Sequence, residues 1–241
     1  MSEIIKAPPS VYIGGNYLSP TDISREQFRK IMASCLDIGG DDLGKLMATY
    51  DLAKVSFGYK LVVTRRSGDR YFEHPKAIAL IGAVECRDKS LVNSHARLLH
   101  DNDEDTRIGV ESLQYLIGKE VAHRVASVSN PKKTGDAILD KERKKVHYAS
   151  IKGDPEAGKI KVPDRIGNLR THEIRLLLDG FIQSSSASKE QIERWIKNAR
   201  GQVQETEEYI IPIADTLGGL YISLLLQEFR NLVEGIRAVE S

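Results

Sequence analysis

Cysteine is scarce: the 241 residues include only Cys35 and Cys86. Two thiols so far apart build no disulfide framework, so free buried thiols are expected and a disulfide-stapled secreted fold is excluded. CxxC and HExxH are both absent, which removes two common zinc words. No apolar run approaches the ~20 residues that a membrane helix needs, and the first residues lack the charged-then-apolar order of a secretion signal. Neither sign of charge is in excess, with 35 basic against 34 acidic side chains, so no nucleic-acid coat is expected. Repeats and substantial low-complexity tracts are also missing. What remains is a chain of cytoplasmic character, long enough for a real core, as one large domain or one domain with extensions.

Against this background one segment stands out. Four carboxylates fall within five residues in His100-Asp101-Asn102-Asp103-Glu104-Asp105, behind an apolar helical stretch. Like charges one helical turn apart destabilise a helix by roughly 0.2–0.5 kcal/mol per pair, so the cluster needs compensation, and a divalent cation is the simplest one. A second fragment, Lys161-Val162-Pro163-Asp164-Arg165, places Asp164 and Asn168 four positions apart, on one helix face. Upstream, His74 precedes Pro75 at a favourable first-turn position. His74, His100, Asp101 and Asp164 together offer two imidazoles and two carboxylates, a donor set suited to manganese or another borderline divalent metal.

The periodicity predicts an all-α fold. Residues 1–20, with Pro8-Pro9, Gly14-Gly15 and Ser19-Pro20, read as an irregular leader. Ser24 caps a helix bearing Phe28, Ile31, Met32 and Cys35, and after Gly39-Gly40 a second bears Leu43, Leu46, Met47, Tyr50 and Ala53. Further helices are expected from Pro75, over 91–99, from Thr106 to a C-terminal Gly118, around 140–151, over 163–170 and over 171–181. Residues 61–64 are the only good strand candidate. A polar hinge at 184–188 leads into helices over 189–204 and 210–239, the last with a stripe of Leu217, Leu220, Tyr221, Leu224, Leu225, Phe229, Leu232 and Ile236. The expected layout is a leader to 20, a domain over 21–183 and a helical extension over 184–241. That extension packs back on the domain or, as the other reading of its stripe, mediates a homo-oligomer contact.

The order His, then His-Asp, then Asp resembles the HD-domain metal phosphohydrolases, and the flanking words narrow the resemblance. Arg65-Arg66-Ser67-Gly68-Asp69-Arg70-Tyr71 followed by His74-Pro75 is similar to the RKSGxPYxxHP segment of the RelA/SpoT alarmone hydrolase domains. His100 to Thr106 resembles their HDxxEDT, and Asp164 to Thr171 resembles their DRLHNMRT. The match runs in order from about Leu46 to about Arg175. It implies one bound metal, manganese, on His74, His100, Asp101 and Asp164, with Glu104 and Asp105 as catalytic acids; Asp105 or Thr106 also suits a helix cap. It implies a small nucleotide substrate, guanosine tetra- or pentaphosphate, cleaved to GDP or GTP and pyrophosphate. Arg65 and Arg66 match positions that approach the base, where a guanidinium plane stacks on guanine. Ser67, Tyr71, Asn168 and Thr171 match pocket positions, and Lys141 and Arg143 belong to a basic block that resembles the pyrophosphate-binding segment of small alarmone hydrolases. The length is too short for synthetase and regulatory regions as well, so a hydrolase-only protein is expected.

Several positions depart from the pattern. Asp103 stands where a small or apolar residue is usual, Gly167 replaces the histidine of DRLHN, Pro163 precedes Asp164 inside an expected helix, Arg66 replaces lysine and Arg70 replaces proline. The stretch after Val128 also differs from the usual GVTK. Pro163 predicts a kink or a helix start. Arg66, Asp103 and Gly167 leave open another nucleotide target, an adenosine alarmone or the 2′-phosphate of NADPH. A non-catalytic nucleotide sensor is the third alternative.

Overall fold

The structure is a computed structural model that describes residues 10–58, 71–180, 182 and 187–241. The strand candidate at 61–64 and residues 184–186 of the hinge lie outside the described residues.

Part of the stretch expected to be irregular forms a hairpin instead. Strands β1 (Val11–Ile13) and β2 (Asn16–Leu18) pair antiparallel, Val11 opposite Leu18 and Tyr12 opposite Tyr17. Gly14 and Gly15 both take positive φ, 58° and 91°, as a two-residue turn matched to strand twist requires. The glycines that signal a break are thus the turn of the hairpin.

Helices make up most of the rest. Helix α1 (Arg25–Leu36) starts at Ser24, whose hydroxyl and backbone are bonded reciprocally with Gln27, and α2 (Gly40–Gly58) follows. Helix α3 (Glu73–Leu80) runs on into a π-type turn at Ile81–Glu85. Helix α4 (Leu91–Leu99) is capped by Ser90, and α5 (Asn102–Asp105) is a single turn. Helix α6 (Val110–Leu116) begins at Val110 and not at Thr106. Thr106 is extended, and its Oγ1 accepts from the Ile108 amide at 3.0 Å while Asp103 Oδ1 accepts from the Val110 amide at 3.2 Å. The unexpected aspartate of the acidic cluster therefore helps start α6. Helix α7 (Lys119–Val128), which the sequence reading lacks, follows Gly118, and α8 (Ala137–Gly153) is capped by Asp136.

Helix α9 (Pro155–Arg170) corrects the expectation at Pro163. It starts at Pro155 behind the Asp154 cap and carries Pro163 in its interior. A proline lacks the amide that would bond the carbonyl four residues back, here that of Lys159. The buried Arg97 side chain takes that carbonyl, with Nε at 3.2 Å and Nη2 at 2.8 Å, and Nη2 also donates to Asp88. Gly82 makes room for the guanidinium, since a Cβ there would lie 2.3 Å from Arg97 Cζ.

Helix α10 (Glu173–Leu178) is capped by His172, whose Nδ1 accepts from the Ile174 amide. Helix α11 (Lys189–Glu205) starts at Ser188 and passes through a π-type turn at Thr206–Ile210 into α12 (Ile211–Leu217) and α13 (Gly219–Glu240). Helix α4 sits at the centre, in contact with α2, α3, α7 and α9. Helix α13 lies along α9 and α10, burying Tyr221, Leu225, Leu232 and Ile236. Gly235 permits the approach to α10: a Cβ there would come within 3.1 Å of Leu178. Among the described residues no helix is long and apolar enough to cross a membrane.

Arg170 ties the distant pieces together. Its guanidinium forks onto Glu85 with two 2.8 Å bonds, donates to Glu228 of α13 at 3.0 Å and reaches the Ser10 carbonyl at 2.8 Å. The Tyr12 amide adds a bond to Glu85 at 3.0 Å, and the Tyr17 hydroxyl donates to Glu228 at 3.2 Å.

Arg97→Met is expected to cost about 3–5 kcal/mol in urea unfolding, because Asp88 is left buried without its cation. In a Pro163→Ala background the loss should shrink by roughly 1 kcal/mol, since the restored amide takes the Lys159 carbonyl.

Candidate active site and metal centre

Three elements converge below the end of α4. His74 enters from the first turn of α3, His100 and Asp101 from the junction of α4 and α5, and Asp164 from the middle of α9. One ligand atom each from His74, His100 and Asp101 lies within 4.8 Å of the others. Asp164 Oδ1 is 3.1 Å from His74 Nε2 and 3.6 Å from His100 Nε2, while Asp101 Oδ1 is 3.1 Å from His100 Nε2. All four residues expected to form a metal site are thus brought together.

The histidine tautomer follows from the backbone. His100 Nδ1 lies 2.8 Å from the Arg97 carbonyl, which can only accept, so Nδ1 carries a proton. Nε2 is buried, faces the cluster, and forms no hydrogen bond of good geometry. In the neutral ring its lone pair faces the two carboxylates, an arrangement that suits a cation between them. The donor set and this orphaned nitrogen fit a divalent metal.

Protons can also balance the charge. Burial pulls the His100 pKa down, but Asp101 and then Asp164 outweigh it and lift it to about 10. For Asp101 burial acts upward, and His100 overrides it to bring the carboxyl to about 2. Asp164 is held well below the usual carboxylate range against its own burial, first by Lys161 and then by His100 and His74. Lys161 is buried one turn ahead of Asp164, with Nζ 3.2 Å from Oδ2. Its charge was missed in the sequence, although the i,i+3 spacing to Asp164 is a legible signal.

The two acids of α5 have separate anchors. Tyr71 donates its hydroxyl to Asp105 and stacks on Phe57 with ring centroids 5.2 Å apart. Glu104 accepts from the Asn130 amide at 2.7 Å and from its side chain at 3.1 Å. Glu104 also borders two clefts. One, of about 640 Å³, is lined by Lys132, Lys133, Lys141, Arg143, Lys144 and Glu205 among others. The second, of about 740 Å³, runs past Ser56, Asp105 and Arg107.

The remaining expected contacts divide. Lys141 and Arg143 line the basic cleft. Asn168 Nδ2 donates to Asp164 Oδ1 at 2.7 Å, and Thr171 Oγ1 donates to the Gly167 carbonyl at 2.9 Å. Arg65, Arg66 and Ser67 lie outside the described residues. Asn130, Lys132 and Lys133 went unread because they fall where the chain leaves the family pattern. Gly167 has a packing role: a Cβ there would sit 2.4 Å from Ile78 Cδ1 and 3.7 Å from the His74 ring. His95 stays apart from the cluster, bonded to Thr49 at 2.7 Å, with burial bringing its pKa down to about 4.

Several known proteins are similar to this chain. A probable GTP pyrophosphokinase of Mycobacterium leprae is 36% identical over 156 residues, covering 64% of this chain and 17% of that protein. The bifunctional (p)ppGpp synthase/hydrolase SpoT of Escherichia coli K12 is 36% identical over 114 residues, covering 45% of this chain and 16% of that protein. A solved structure of a metazoan ortholog of SpoT superposes with a TM-score of 0.54 at 21% identity, over 78% of this chain and 94% of the other. Over these segments the chain is similar to RelA/SpoT-type proteins, and its fold is like that of the SpoT ortholog. No family model matches this chain. The chain spans about a sixth of the length of these two curated relatives.

In the folded protein Asp101 and Asp164 hold the His100 pKa up at about 10, against 6.5 for an ordinary histidine. Its contribution to stability is fully present below the unfolded value and is lost as pH rises through the folded one. A divalent cation must displace that proton. Calorimetric titration with Mn²⁺ in buffers of different ionisation enthalpy should therefore show release of about one proton near pH 8, with affinity rising as pH rises.

Proposed function

We propose that this HD domain hydrolyses the 3′-pyrophosphate of guanosine alarmones, ppGpp and pppGpp, to GDP or GTP and pyrophosphate. The observation that carries the reading is the buried His100 Nε2 facing Asp101 and Asp164, beside two anchored acids and a basic cleft. His74, His100, Asp101 and Asp164 would hold one divalent metal, manganese by the donor chemistry, which when bound acidifies water and offsets phosphate charge.

The reaction needs a water to attack the phosphorus bonded to the ribose 3′ oxygen. The bond between that oxygen and phosphorus breaks, the water gives up a proton, the ribose oxygen gains one, and pyrophosphate leaves. Glu104 and Asp105 supply this proton traffic between them. Tyr71 holds Asp105 in one orientation, and Asn130 does the same for Glu104. Lys141 and Arg143 meet the pyrophosphate, offsetting the repulsion that the acidic cluster exerts on a polyanion. Lys161 and Asn168 orient Asp164, so Asn168 serves the metal ligand as well as lining the expected pocket. Arg65, Arg66, Ser67 and Thr171 complete the substrate contacts by the family match.

The alternative nucleotide targets rested partly on Asp103 and Gly167. Asp103 bonds the start of α6 and Gly167 faces Ile78, so neither supplies evidence for a different base or phosphate.

Protein loaded with Mn²⁺ is expected to convert ppGpp to GDP and pyrophosphate, and Asp101→Ala to abolish it. Tyr71→Phe should lower kcat on the order of tenfold with little change in KM, because it loosens a proton-transfer group and no ground-state contact. ATP-independent formation of guanosine products other than GDP, or no turnover by metal-loaded protein, would overturn the reading.

A further inference from the structure

One residue lining the basic cleft lies outside the sequence segments that resemble the family. Glu205, the last residue of α11, brings a carboxylate among the cations of the cleft wall. Its Oε1 accepts from Arg165 at 2.6 Å and from the Tyr148 hydroxyl at 2.5 Å, and Oε2 pairs with Lys144 Nζ at 2.9 Å. Lys144 is further fixed over the stacked rings of Tyr148 and Tyr209, 5.9 and 6.0 Å from their centroids.

The other acids of this wall have local hydrogen-bonding tasks. Asp103 bonds the Val110 amide, Glu104 bonds Asn130, and Asp140 accepts from the amide and hydroxyl of Thr134. Glu205 differs because two of its partners are cations, the buried Arg165 and Lys144, which lines the cleft and which an entering polyanion would otherwise attract. One of them, Arg165, follows Asp164 directly in α9. Burial acts against the Glu205 carboxylate, yet Arg165, Tyr148 and Lys144 keep it ionised with a pKa of about 2. The anion is therefore permanent at working pH.

We propose that Glu205 is a built-in counter-anion that sets the affinity of the cleft for a pyrophosphate group, holding Lys144 away from the ligand and so limiting how tightly product is retained. The inference rests on the assignment of this cleft to the pyrophosphate arm of the substrate. It makes Glu205 an affinity-setting residue that shapes the potential of the cleft without joining the reaction. The cations left for the ligand are Lys132, Lys133, Lys141 and Arg143.

The test is calorimetric titration of inorganic pyrophosphate, with EDTA present, into the full chain and its variants. Glu205→Gln keeps the side-chain shape and an acceptor for Tyr148 and Arg165 but removes the charge. It should bind pyrophosphate about three- to tenfold more tightly, with the gain falling as salt is raised. A folded Glu205→Gln protein that binds pyrophosphate no better than wild type would overturn the proposal. Should that variant fail to fold, Lys144→Met and Lys141→Met are compared. The first should weaken pyrophosphate binding less than the second, because Lys144 is already engaged, and an equal or greater loss at Lys144 would overturn the proposal. Tightening by Glu205→Gln in a protein that leaves ppGpp intact would support the role of Glu205 while counting against the hydrolase reading, so the two failures are separable.

Discussion

Helix α9 carries more buried charge than a helix can hold unaided, and answering that charge shapes the molecule. Lys161, Asp164, Arg165 and Arg170 are all less than a tenth exposed. An ion withdrawn from water without a partner costs several kcal/mol, so each must meet its counter-charge inside the fold. Lys161 and Asp164 answer each other within the helix. Arg165 recruits Glu205 from α11, and Arg170 recruits Glu85 from the π-type turn and Glu228 from α13. The hairpin joins the same network through the Ser10 carbonyl. Segments far apart in sequence are thus docked on the helix that presents Asp164.

Pro163 enters the same balance. Its missing amide leaves one carbonyl of α9 available inside the protein, and Arg97 of α4 converts that deficit into a link between helices. The backbone carbonyl of the same Arg97 fixes the proton on His100 Nδ1. One residue therefore sets both the alignment of α9 against α4 and the tautomer of an imidazole at their junction. His100 on one helix and Asp164 on the other are brought opposite each other by this contact as much as by apolar packing. The proline that suggested a kink is part of the positioning apparatus.

What was legible in the chain was local. The spacing of His74, His100-Asp101 and Asp164 pointed to one cluster, and the geometry joins them because each sits at a helix start, a helix end or one helix face. The Ser24 cap placed α1 closely, and Ser188 with Gln191 makes the same complete local signal at the start of α11. Contacts between remote segments were not legible. Nothing near Glu205 announces Arg165, and nothing near Pro163 announces Arg97. Helix α7 was overlooked because Gly118 both ends α6 and precedes α7, so a single glycine hid two boundaries. The hairpin was overlooked because strands of three residues carry too little alternation to be seen.

The close approach of Gly167 to Ile78 reaches beyond this one chain. A side chain at position 167 and an isoleucine at position 78 contend for the same space beneath the His74 ring, 2.4 Å being too short for two carbon atoms. A histidine at the first position requires the terminal methyl of Ile78 to turn aside, a shorter residue at the second position, or a shift of the helix bearing it. The two positions should therefore change together through evolution, a covariation produced by packing alone. Substituting histidine at 167 by itself would press on Ile78 and on the His74 imidazole beside it, so the exchange works through the neighbouring core.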